Sequence, residues 1–205
     1  MKSITAILMI LVLLSCKNEA TQKQNQNALA TPFRAFLNKI KIIELPFVYK
    51  YRGDESELNY AQMRTIDSNS PDTLFVKNKE GIKCYGMLPD TSQYFSLIYF
   101  YPAEVYYPVL ATYNKNGQLM DEVRLNLGGC GADCGLEQCT EFSRIDKNLS
   151  IFSADTIKWQ FLCDSLGEPI PKSGVIWIDT KTGHLTQEGR VIMAKDKHEE
   201  IKNNH

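Results

Sequence analysis

The chain has 205 residues, with 23 lysines and arginines against 24 aspartates and glutamates and a formal net charge of -1. That balance excludes an electrostatic case for nucleic acid or for an anionic membrane surface as partner. Hydrophobic residues make up 43% and charged residues 23%, the proportions of a folded globular protein, and the length suits one domain with a sizeable core.

Lys2 gives a basic start, Ile4 to Leu14 is apolar apart from Thr5, and Ser15-Cys16 precedes the polar Lys17-Asn18-Glu19. This order of regions predicts a secretory signal peptide over residues 1–15. The apolar run is too short to span a hydrocarbon core of ~30 Å as a permanent helix. The cysteine behind a small residue resembles a bacterial lipobox. That resemblance implies cleavage before Cys16, acylation of its thiol and acylation of the new amine. A buried methylene adds ~0.8 kcal/mol of membrane affinity and one acyl chain alone anchors only marginally. Several chains on Cys16 would hold the protein at a bilayer without crossing it, so the membrane is an expected partner through the N-terminal lipid. Lys17 in place of Asp is similar to the bacterial sorting signal for the outer membrane, with the domain facing either the periplasm or the cell surface.

Residues 16–31 combine the lipidated cysteine with a polar, Gln/Asn-rich stretch that lacks periodicity. Such a composition reads as a disordered tether, with a reach on the order of 20 Å. A single β domain is expected over residues 32–193. Phe33 to Ile40 suits one short helical turn. Ile40 to Tyr51 is rich in β-branched and aromatic residues and reads as a strand that Pro46 confines to an edge or a bend. A short helix capped by Ser56 is expected over residues 56–63.

From Thr73 the pattern is strand after strand. Thr73–Lys77 and Ile82–Gly86 predict a hairpin across Asn78 to Gly81. Phe95–Tyr101 is apolar on both faces and reads as a central strand. Tyr107–Asn114 and Gln118–Leu127 flank Asn116-Gly117, a strong hairpin turn. In the second of these strands Val123, Leu125 and Leu127 would face the core, and Glu122, Arg124 and Asn126 would face water. Thr140–Asp146, Leu149–Phe152 and Asp155–Cys163 follow, and Gly174–Asp179 and Leu185–Met193 predict a last hairpin across Lys181 to Gly183. Residues 194–205 are charged and read as a flexible tail. Short strands joined by tight turns, with little helix, predict an all-β antiparallel meander forming a sandwich, an open barrel or a strongly curved sheet.

Six cysteines are present. With Cys16 set aside, five remain in an exported body, where disulfides are the default and an odd number leaves one thiol over. Cys130, Cys134 and Cys139 lie in a glycine-rich loop. Their C-x3-C-x4-C spacing is close to structural zinc motifs, but an oxidising compartment and the lack of a nearby His favour disulfides. A meander brings Cys163 back to the edge where that loop begins, so Cys130, Cys134, Cys139 and Cys163 are the disulfide candidates, with connectivity open among three pairings. Cys84, in the middle of a strand, is the expected free thiol.

No constellation argues for catalysis. His198 and His205 fall in the tail and His184 in a predicted turn, so neither a cysteine nor a serine nucleophile has an evident base. No catalytic residue, metal site or cofactor is expected. Flat aromatic rings can stack on sugar faces. Tyr106 and Tyr107, between Pro102 and Pro108, are the best candidates for an exposed binding pair. The lipobox, the Glu44-Leu45-Pro46-Phe47 segment and the run from Tyr107 to Gly117 followed by a Cys loop resemble outer-envelope lipoproteins of Bacteroidetes-type bacteria. The resemblance implies an envelope location and a β-rich body and assigns no activity. The functional expectation is a lipid-anchored, non-enzymatic binding module with an unknown envelope protein or glycan as partner. Alternatives are a secreted inhibitor or immunity-type protein and a glycan-binding module, with a hydrolase behind these.

Overall fold

The computed structural model describes residues 32–53, 55–66, 71–76, 81–89, 92–131 and 134–202. The expected signal peptide, Cys16 and the tether lie outside the described residues. Among these residues a short helix at 32–37 leads into fourteen strands. These are β1 Phe47–Arg52, β2 Glu55–Ser56, β3 Arg64–Ile66, β4 Ile82–Met87, β5 Phe95–Tyr101, β6 Tyr107–Tyr113, β7 Leu119–Arg124, β8 Leu136–Ile145, β9 Ser150–Trp159, β10 Leu162–Cys163, β11 Pro169–Ile170, β12 Val175–Leu185, β13 Val191–Met193 and β14 Lys197–Lys202.

Two main antiparallel sheets result. The first is the meander β3-β4-β5-β6-β7, and the second runs β13-β12-β9-β8-β1-β2, with β14 also on β12. Neither closes into a barrel, and they face each other in a sandwich-like arrangement across one core. Phe95–Tyr101 is the central strand its composition predicts. Ile98 and Phe100 point to the second sheet with Leu110, while Leu97, Tyr99 and Tyr101 bury on the opposite face. The short helix covers that opposite face with Phe33, Phe36 and Leu37. The first sheet is therefore buried on both sides, which is why its middle strands read as unbroken apolar runs rather than alternating ones.

The turn at Asn116-Gly117 forms as its sequence predicts. Gly117 holds a φ of +81° and donates its N–H to the Asn114 carbonyl at 3.0 Å, a conformation glycine adopts without steric cost. A cis peptide bond joins Leu45 to Pro46, and β1 starts right behind it. β1 pairs with β8 along its whole length and with β2 only at Tyr51 and Arg52, so most of its other edge is open, where Pro46 can be tolerated.

Several expectations are corrected. The predicted helix at residues 56–63 is a single 3-10 turn, Tyr60–Gln62, capped by Asn59 through Ala61 N–H, and Ser56 belongs to β2. The strand expected at Thr73–Lys77 is instead a 3-10 turn at Pro71–Leu74. Buried Asp72 anchors that turn by ion pairs to Lys39 and Arg64, and β3 takes its place beside β4. Leu149–Phe152 and Asp155–Cys163 are not the two strands observed: β9 runs unbroken from Ser150 to Trp159, and Leu162–Cys163 forms the separate short strand β10. No hairpin turns at Lys181 to Gly183. β12 continues to Leu185, paired with β9 from Val175 to His184, and the chain turns at residues 186–190. Gly183 serves close packing there, since a Cβ on it would lie 2.4 Å from Met193 Sδ. The charged C-terminal segment, expected to be unpaired, forms β14 over Lys197–Lys202 against β12. Charged residues such as Lys197, Glu199, Glu200 and Lys202 are what a sheet edge carries to discourage pairing with other chains.

Candidate functional site

The glycine-rich cysteine loop carries the chain from the first sheet to the second, and two disulfides pin it. Cys130 bonds to Cys139 with Cα atoms 5.6 Å apart, and Cys134 bonds to Cys163 with Cα atoms 6.2 Å apart. Cys84 is the free thiol, buried in β4. The four cysteines meet at one end of the sandwich because β8 leaves that end and β9 returns to it, so Cys163 comes back to the loop. Burial pushes the Cys84 thiol up to about 12, with Arg64 acting against the shift and Asp72 adding to it.

Beside this loop lies a cleft of about 470 Å³ between the ends of the two sheets. Its size falls in the range of small-molecule sites. Tyr49 and Tyr51 of β1, Tyr106 and Tyr107 from the start of β6, the Cys130–Cys139 bridge and the start of β8 form its walls. Tyr106 and Tyr107, picked out from sequence by their flanking prolines, are thus brought together here, half-buried rather than fully exposed. Tyr106 stacks on Tyr60 with ring centroids 4.9 Å apart. The Arg124 guanidinium sits 4.3 Å from the centroid of the Tyr107 ring, a cation–π geometry.

The cleft also holds a polar relay that sequence reading missed. Glu141 is only 5% exposed, and so is Asn126. Asn126 Nδ2 donates to Glu141 Oε2 at 2.6 Å, and Arg124 Nε donates to Asn126 Oδ1 at 2.7 Å. The Tyr49 hydroxyl makes a longer contact of 3.5 Å to the same Glu141 oxygen. Burial, and then the Glu141 charge, push the Tyr49 phenol upward, so it stays a protonated donor. Asn126 was expected on a water-facing side of its strand. It is turned inward because β7 ends at Arg124 and the chain then bends toward the second sheet, burying Leu125 and Asn126 in succession. Arg124 is held flat by Gly128, where a Cβ would lie 2.2 Å from Arg124 Nη2 and where φ is +80°.

Glu141 had a legible signal. Cys139, Ser143 and Ile145 are buried at alternate positions of β8, and period two places Glu141 on the same inward side. The same rule buries Ser153 and Asp155 between Ile151 and Ile157 of β9. Register then lines up Glu141, Asp155, Asp179 and His198 on four neighbouring strands. Asp155 Oδ2 accepts the Gly129 N–H at 2.6 Å, while its Oδ1 has no partner. Burial raises the Asp155 carboxyl from 3.8 to about 6; the Gly129 N–H works against that shift, and Glu141 and Asp179 add to it. His198, assigned to a frayed tail from sequence, lies with Nδ1 2.7 Å from Asp179 Oδ1. His184 is exposed on β12, far along the strand from these groups.

A second cleft, about 380 Å³, is lined by Lys39, Lys41, Arg64 and Cys84 among others. Its Lys39 and Arg64 are already engaged by Asp72. Among the described residues, no group of three or more His, Cys, Asp or Glu side chains is placed to hold a metal ion. No helix of the described residues is long and apolar enough to cross a membrane. No family model, curated protein or solved structure matches the chain.

Proposed function

We propose that this is a lipid-anchored cell-envelope protein, held at the outer membrane through Cys16 and facing the periplasm or the cell surface, that binds a ligand rather than transforming it. The cleft between the sheet ends is its binding site. The observation that carries this reading is the Glu141–Asn126–Arg124 relay. A buried carboxylate and a guanidinium are fixed in a tyrosine-walled cleft by partners that leave atoms of both open to it. Convergent polar groups on rigid strands, set among aromatic walls, are what ligand recognition needs. The anchor reading is supported by the lipobox and the polar tether, which would let the domain stand off the bilayer.

Two measurements test it. Replacing Cys16 with Ser should leave the uncut precursor and release the protein from membranes; wild-type acylation and membrane retention of that variant would contradict the anchor. Wild-type chain and a Tyr106→Ala/Tyr107→Ala variant should then be compared for capture of components from envelope extract. Captured material should be lost with the double variant. Identical capture by both would place the binding surface elsewhere.

A further inference from the structure

We infer that the cleft takes a small dipolar ion, a free α-amino acid, with its ammonium group on Glu141 and its carboxylate on Arg124. This rests on reading the cleft as the binding site and adds the class of ligand. Opposite charges that share a cleft ordinarily pair directly, and an arginine–carboxylate pair is often bidentate. Here Asn126 stands between them, taking Arg124 Nε on its oxygen and giving its own N–H to Glu141 Oε2. Among the described residues Glu141 and Arg124 form no ion pair with each other or with any other group, so Glu141 Oε1 and the two terminal nitrogens of Arg124 remain for a ligand.

Each charge narrows the ligand. The hydrogen-bond partners of Glu141, the Asn126 amide and the Tyr49 hydroxyl, are neutral donors, so no cation among the described residues faces it directly. An ammonium group would supply one. A simple amine would gain from Glu141 but meet the positive charge of Arg124. A simple carboxylate would gain from Arg124 but meet Glu141. A neutral sugar could hydrogen-bond to both and would compensate neither. A group carrying ammonium and carboxylate on one carbon answers both at once. The guanidinium is stacked on Tyr107 and backed by Gly128, so its edge rather than its face is presented, the orientation for two-pronged carboxylate binding. Tyr51 and Tyr106 line the same cleft, where the side chain of such a ligand would lie.

The test is calorimetric titration of the purified full-length mature chain. The probes are L-leucine, L-phenylalanine and L-lysine, the N-acetyl and amide derivative of each, and glucose and glucosamine. At least one free amino acid should bind, and acetylating its amine or amidating its carboxylate should each weaken binding tenfold or more. Glu141→Gln should erase the difference between the free and N-acetyl forms. Arg124→Gln, at an exposed position, should erase the difference between acid and amide. Equal binding of the derivatives, binding of the sugars alone, dependence on only one of the two charges, or no binding by any probe overturns the amino-acid assignment. If a sugar or a singly charged probe binds and Tyr106→Ala abolishes it, the cleft stands as the site and only the ligand class falls. If no probe binds and the tyrosine variants leave envelope capture unchanged, the site itself is wrong.

Discussion

Asn126 and Glu141 join the two sheets through a 2.6 Å hydrogen bond in the protein interior. Asn126 follows the last strand of the first sheet, and Glu141 lies in the middle of β8 in the second. Leaving a buried carboxylate without that donor costs about 1–3 kcal/mol. Asn126→Ala should lower unfolding stability by this amount in urea titrations, with the slope unchanged. Asn126→Asp should cost more at pH 8 than at pH 5, because it sets a second carboxylate against Glu141. A neutral effect of both would mean that Glu141 is solvated and not held.

The disulfides make a separate prediction. On the chain-entropy model, the Cys134–Cys163 bridge, spanning 29 residues, contributes about 3.5 kcal/mol, and the 9-residue Cys130–Cys139 bridge about 2.5 kcal/mol. Replacing both members of one bridge with Ser should destabilise in that order. Non-reducing peptide maps should link those pairs only. A linked peptide containing Cys84 would contradict the strand order.

Cys84 should be silent toward alkylation. Its thiol is buried and pushed up to about 12, and only the thiolate reacts readily. Iodoacetamide at pH 8 should leave the folded protein unmodified and label one thiol once denaturant is added. Rapid labelling of the folded protein would show that β4 opens.

Asp155 sets a pH dependence. Its folded value, about 6, lies above the ordinary 3.8, so between pH 4 and 6 the folded protein holds a proton that the unfolded chain has lost. Stability should therefore fall as pH rises through that window, by up to about 3 kcal/mol, and level off above it. Asp155→Asn, which keeps an oxygen for the Gly129 N–H, should flatten this slope and match or exceed wild-type stability at pH 7. A variant with the same slope would assign the titration to another group.

The sequence carried the fold where local physics is decisive. Phe95–Tyr101 reads as a two-sided strand, Asn116-Gly117 as a tight turn, and the return of Cys163 to the cysteine loop as a shared edge, and each holds in the structure. It misled where tertiary context overrides a local signal. Gly183 looks like a turn residue but sits inside β12, where Met193 packs too closely for a side chain. Thr73 has strand-like neighbours, yet the ion pairs of Asp72 fold that segment into a 3-10 turn. The cleft was half legible. The prolines around Tyr106 and Tyr107 marked one wall. Its polar floor depends on the pairing of β1 with β8, strands about ninety residues apart, as in the register of Tyr49 with Ser143, and on the bend after Arg124. Neither leaves a local pattern.

The most direct test of the cleft as the binding site is an amide-resolved NMR titration of the mature protein with the small-molecule fraction of envelope extract. The account predicts shifts confined to the cleft, at Tyr106, Tyr107, Asn126, Gly128 and Gly131, and abolished by Glu141→Gln. Shifts on the outward face of β8, β9 and β12, or saturable shifts that persist in Glu141→Gln, would contradict it.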